Sequence, residues 1–135
     1  MNKLVSVFCC FAVTLLGFFG CEHSTRTYNE GAVLYQKHCA NCHMDDGSGL
    51  EALYPPLAAA DLLKSLDIRA ACVIRNGLQG RIVVNGIEYE TGMAAIKQLS
   101  DVELTNILNY IHNAWGNKRR FIQLKEVKAV LKACS

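Results

Sequence analysis

The chain has 135 residues, 51% of them apolar, seven cysteines and a formal net charge of +2. That length holds one domain, the apolar fraction supplies a core, and so mild a charge does not suggest nucleic-acid binding. No Gly-rich phosphate loop, G-x-S-x-G elbow or H-E-x-x-H metal signature is present.

Residues 1–20 read as a targeting segment. Asn2-Lys3 gives a short basic start, and LVSVFCCFAVTLLGFFG is an apolar run on the short side for a membrane span. It ends at Gly20-Cys21, followed by the polar EHSTRTYNEG. A small residue just before a cysteine at this place resembles the lipobox of bacterial lipoproteins, although Phe18 replaces the usual Leu. The resemblance implies cleavage before Cys21, lipidation of Cys21 and attachment to a membrane on its periplasmic side. An uncleaved N-terminal anchor and plain secretion are the alternatives, and all three imply export. Cys9 and Cys10 then leave with the signal, so Cys39, Cys42, Cys72 and Cys134 remain beside the lipid site. Free thiols are unusual in an oxidising compartment. Cys72 and Cys134 either join in a disulfide that pins the C-terminal tail or stand as two separate thiols.

Residues 21–28 read as the lipidation site and a polar tether, and residues 29–135 as the domain. From Asn29, a plausible N-cap, EGAVLYQKHC reads as a helix. DDGSGLEALYPP is a Gly-rich loop closed by two prolines. LAAADLLKSL and IRAACVIRNG read as two short helices, the second stopped by Asn76-Gly77. RIVV-NG-IEYE predicts a hairpin with a type I′ turn. Ser100 and Glu103 form a capping box that opens the longest helix, DVELTNILNYIHNAW, with Leu104, Ile107, Leu108, Ile111 and Trp115 in one apolar stripe. His112 lies beside that stripe at a position expected to be exposed. A last helix, roughly 124–133, carries Leu124, Val127, Val130 and Leu131 on one side and lysines on the other. Its narrow stripe suits packing on the domain better than lying on a membrane, with Lys118, Arg119 and Arg120 as a solvated cluster or a weak electrostatic docking surface. The fold class is all-α with one small hairpin.

The chemistry sits in HCANCHMDDGSG, residues 38–49. A thioredoxin-like thiol pair wants a βαβ setting that this sequence lacks, and structural zinc needs two more ligands at matching spacing. C-x-x-C-H is a haem-attachment signature. One thiol adds to each of two vinyl groups on neighbouring pyrroles, and the next residue then lies over the iron. Cys39 and Cys42 become the thioethers and His43 the proximal ligand.

Around the motif the sequence resembles class I c-type cytochromes of the small bacterial monohaem kind. Gly31 and Tyr35 precede Cys39 by eight and four residues, and Ile107 and Tyr110 lie on the terminal helix. In the family these helices cross closely at the glycine, with aromatic rings locking the crossing. YPPLAAADLL resembles the loop in which a proline two residues before a leucine, here Pro55 ahead of Leu57, turns its carbonyl toward the proximal His. VNGIEYETGMAAIKQLSDVELTNILNYIHNAWGN resembles the region that brings the sixth ligand, which places Met93 as the axial methionine. Ala94 stands where the family usually has Pro, so the loop is looser. Met44 and His38 flank the attachment motif too closely to reach the other face of the porphyrin.

The resemblance implies a cytochrome c fold: four to five short helices around one covalently bound haem c, with the hairpin before Met93. With both axial positions filled the iron passes one electron at a time, and His/Met ligation raises the potential relative to two imidazoles. The implied function is a membrane-anchored one-electron carrier between respiratory or dehydrogenase redox partners, a donor and an acceptor. Such a chain is a monomer or a subunit of a redox complex. The alternative is a haem enzyme or ligand-binding sensor with a labile methionine. Arg75 and Arg81 are candidates for the haem propionates, or else solvent-exposed arginines. Small residues around Ala40, Asn41 and Ala58–Ala60 are expected to let a partner approach.

Overall fold

A computed structural model describes residues 19–134, with side chains from residue 25 onward. Residues 1–18, the bulk of the expected targeting segment, lie outside the described residues. The elements in order are α1 (Phe19–His38), α2 (Ala40–His43), α3 (Asp61–Leu66), a 3₁₀ turn (Asp67–Arg69), α4 (Ala70–Asn76), β1 (Ile82–Val84), β2 (Ile87–Tyr89), α5 (Asp101–Ile111) and α6 (Leu124–Ala133). No described helix is long and apolar enough to cross a membrane.

α1 begins at Phe19 rather than after Asn29, so the helix runs back through the residues read as a tether. Arg26 pairs with Glu30 one turn on at 2.8 Å, Thr27 is buried, and the Tyr28 ring packs on Tyr110 at 5.1 Å. Partners on α5 carry the helix through residues that show no apolar period of their own.

The centre of the fold is the crossing of α1 and α5. α5 opens on the expected capping box, with Glu103 N–H donating to Ser100 Oγ at 3.2 Å and Ser100 N–H to Glu103 Oε2 at 2.8 Å. At the crossing a side chain on Gly31 would collide with the Asn106 carbonyl and lie 2.8 Å from Tyr110 Cβ, so only glycine fits. Asn106 Nδ2 donates to Glu30 across it at 2.9 Å. Tyr35 then packs at a tilt on both Tyr110 and Trp115, which meet each other edge to face, with centroids 4.9–5.3 Å apart.

α5 stops at Ile111, four residues before the expected end. The chain leaves through turns in which Trp115 and Gly116 take φ +50° and +84°, and Asn117 Nδ2 captures the free Ile111 carbonyl at 2.8 Å. His112, expected at the surface, is 1% exposed. α5 is covered on two sides: α1 takes Asn106 and Tyr110, while the tail takes Asn109, whose side chain bonds both backbone groups of Ile122 at 2.8 and 2.9 Å. One apolar stripe in the sequence therefore understates what is buried.

The hairpin pairs Val84 with Ile87 around Asn85 and Gly86, both at positive φ as a type I′ turn requires. Asp61 and Asn85 exchange two backbone-to-side-chain bonds at 2.8 and 3.0 Å, fixing the turn to the start of α3. α6 buries Val127, and a disulfide joins Cys72 to Cys134, closing the alternative of two separate thiols.

Candidate haem-binding site

α1 delivers the attachment motif. Tyr35, fully buried at the crossing, points its hydroxyl onward to the Met44 carbonyl at 2.6 Å. α2 is the single turn that carries Cys42 and His43. Beyond it the loop is tied down at several points. Trp115 Nε1 donates to the Asp45 carbonyl at 3.2 Å, and the Leu57 and Ala58 amides donate to Gly47 at 2.8 and 3.0 Å. Asn117 binds the Leu57 carbonyl and the Ala59 amide, both at 3.0 Å. The role of Asn117 depends on residues about sixty positions away, which no local pattern in the sequence reveals.

These ties set the Pro55 carbonyl 2.9 Å from His43 Nδ1. A carbonyl only accepts, so the contact requires Nδ1–H and leaves Nε2 as the free lone pair. Burial holds the imidazole below its ordinary pKa of 6.5, partly opposed by this bond. The ring is thus neutral and correctly tautomerised for a metal.

Cys39, Cys42, His43 and Met93 all line one cavity of about 400 Å³, a size typical of cofactor sites. Its walls are otherwise chiefly apolar, among them Leu63, Ile74, Ile82 and Ile107. Two half-buried thiols, an imidazole and a thioether in an apolar cleft are a donor set that fits a covalently attached haem. They do not fit thiol exchange: burial, then Cys42, pushes the Cys39 thiol up to about 12, whereas redox-active thiols are lowered. Nor do they fit structural zinc, since no cluster of three or more His, Cys, Asp or Glu among the described residues is arranged to hold a metal ion.

Met93 reaches the cavity from a loop paired to Leu78, with two backbone bonds of 2.8 and 2.9 Å. The other residues singled out in the sequence sit as follows. Arg75 binds Asp101 at 2.8 Å and the Lys97 carbonyl at 3.2 Å, Arg81 pairs with Glu88 at 3.2 Å, and neither lines the cavity. The opposite charges nearest in the fold claim both arginines. The expected small-residue patch also shrinks, because Ala40 and Ala60 are buried and only Asn41 and Ala59 stay exposed.

Fold and site together define a helical protein built to enclose a haem bound through two sulfurs. The family described as Cytochrome c matches residues 28–115. A cytochrome c-552 of Thermus thermophilus is 35% identical over 111 residues, 79% of this chain and 74% of that protein. A second cytochrome c-552 from the same species is 38% identical over 95 residues, 67% of this chain and 72% of its own. The cytochrome c subunit of the quinone alcohol dehydrogenase of Gluconobacter oxydans is 34% identical over 92 residues, 66% of this chain but 19% of that subunit. The chain belongs to the cytochrome c family. It is an electron-transfer protein with one covalently bound haem c.

Proposed function

We propose that the chain is an exported one-electron carrier held to a membrane by lipid on Cys21 and passing electrons between membrane-associated redox proteins. In this reading Cys39 and Cys42 would hold the haem through two thioethers, and His43 and Met93 would ligate its iron. The observation that carries it is the meeting of all four residues on one apolar cavity, with His43 already oriented by Pro55. When bound, the haem supplies reversible one-electron oxidation of its iron. The chain's own residues supply the environment. Leu63, Ile74, Ile82 and Ile107 keep water out and disfavour the more highly charged oxidised state. The Pro55 carbonyl fixes the imidazole and strengthens it as a donor. With both arginines engaged elsewhere, Tyr54 and Thr91 are hydroxyls lining the cavity that can donate to the haem carboxylates.

The dehydrogenase-subunit relative supports a membrane redox complex as the working context, and the lipobox-like Gly20-Cys21 supports the anchor. Several acyl chains would hold the protein stably while allowing it to turn between partners.

Denaturing the purified protein and extracting it with acidified organic solvent tests attachment: colour stays with the polypeptide. Carbon monoxide added to the reduced protein tests closure. No binding at neutral pH is expected, and rapid, complete binding removes Met93 as the sixth ligand. Radiolabelled palmitate incorporated in a bacterial host, and lost in Cys21→Ser, tests the anchor.

A further inference from the structure

Ala94 is exposed and its short side chain fixes nothing, so Met93 is held through the backbone around it. That restraint comes from α4. Beyond the paired Leu78 and Met93, the Ile96 amide donates to the Ile74 carbonyl at 2.9 Å and Arg75 reaches the Lys97 carbonyl at 3.2 Å. Gly77, at φ +78°, turns the chain from α4 into this pairing, and a side chain there would lie 2.6 Å from the Met93 carbonyl oxygen. The methionine loop therefore hangs on residues 74–78.

α4 has only seven residues, too few to be stable alone. It is fastened to the end of the chain at two points. Cys72 is cross-linked to Cys134, and Asn76 Nδ2 donates to the Cys134 carbonyl at 3.0 Å. A continuous series of covalent and hydrogen bonds thus runs from the end of α6, through α4, to the backbone of Met93.

We propose that the Cys72–Cys134 disulfide positions the sixth ligand: by clamping α4 to the C-terminus it stiffens the Leu78–Met93 pairing. The proposal rests on the assignment of Met93 as a ligand. Cys72 and Cys134 are positioning residues and touch no haem atom in this account. A disulfide that merely stapled the tail would raise global stability and leave displacement of the methionine from the iron unchanged.

The test is an imidazole titration of the oxidised holoprotein, followed by the weak far-red absorption of sulfur-bound ferric iron. Wild type and the Cys72→Ser/Cys134→Ser variant are compared at a temperature where circular dichroism shows both fully folded. The variant is expected to bind imidazole about tenfold more tightly, within the usual range for couplings carried through packed elements. Asn76→Ala, which keeps the disulfide, should shift the affinity about threefold the same way. Equal affinities in wild type and the double-serine variant overturn the proposal. Should that variant fail to fold, the titration is run on wild-type holoprotein whose disulfide has been reduced with a phosphine and alkylated, the iron then reoxidised. Equal affinity there overturns it too. A wild-type spectrum with no far-red band refutes the Met93 assignment, and the proposal with it. A normal wild-type band with unshifted affinities refutes the proposal alone.

Discussion

Gly31→Ala is the sharpest probe of the crossing that presents the attachment motif. The added carbon would lie 2.8 Å from Tyr110 Cβ and collide with the Asn106 carbonyl, a backbone atom that no rotamer change can move. Ordinary carbon contacts sit near 3.5–4.0 Å, so the helices must part by about 1 Å, and a gap of that size forfeits up to half of each displaced contact. Overpacking of this kind costs about 1–3 kcal/mol. Loss of the Asn106–Glu30 bond adds about 1 kcal/mol, and the better helix propensity of alanine returns about 1 kcal/mol. The net expectation is a loss of about 2 kcal/mol, or a Tm lower by about 8 °C for a domain of this size. Thermal unfolding of the oxidised holoprotein, followed by circular dichroism, measures it. Val33→Ala, on the exposed side of the same helix, serves as the control and should change little. A Gly31→Ala protein within about 0.5 kcal/mol of wild type would mean that the close crossing does not hold the motif.

Asn109→Ala leaves both backbone groups of fully buried Ile122 without partners; the expected cost is about 3 kcal/mol, read as a lower urea midpoint. His112 is buried with neither ring nitrogen hydrogen-bonded. Burial lowers its pKa from 6.5; Asp67, 4.0 Å away, opposes this, while Arg119 and Arg120 add to it. Because the unfolded chain takes up this proton first, the stability tied to His112 is complete above about pH 6.5 and is lost as pH falls toward the lowered folded value. Urea melts between about pH 7 and 5 should show a shallower loss in His112→Leu, and parallel curves would exclude the effect. Hydrogen exchange should find the Leu78, Met93 and Ile96 amides opening before those of α5; uniform protection would contradict the hanging-loop description.

What the sequence revealed was local. The attachment motif, the Ser100–Glu103 box and the Asn85-Gly86 turn each complete their geometry within a few residues, so composition and spacing suffice to read them. Gly31 and Pro55 were legible through family resemblance, and the structure supplies the physical reason for both. What stayed hidden depends on distant partners. Tyr28 extends α1 because Tyr110 receives it. His112 and Asn109 are buried because the tail folds back over the second side of α5. Arg75 and Arg81 look available in sequence, yet Asp101 and Glu88 lie close enough in the fold to claim them.

The site is held unequally on its two sides, and this bears on how it works. On the His43 side, Tyr35, Trp115 and Asn117 tie the motif loop directly to the α1–α5 crossing, where Tyr35 and Ile107 are fully buried. Displacing the imidazole means disturbing that core. On the Met93 side the ties are backbone bonds to a seven-residue helix, itself fastened from outside. A carrier needs an iron environment that changes little between oxidation states, and the His43 half secures this through the core. With Met93 as the proposed sixth ligand, its half would secure this through α4 and its cross-link, and variation in the tail would reach the iron while the attachment motif stays as it is.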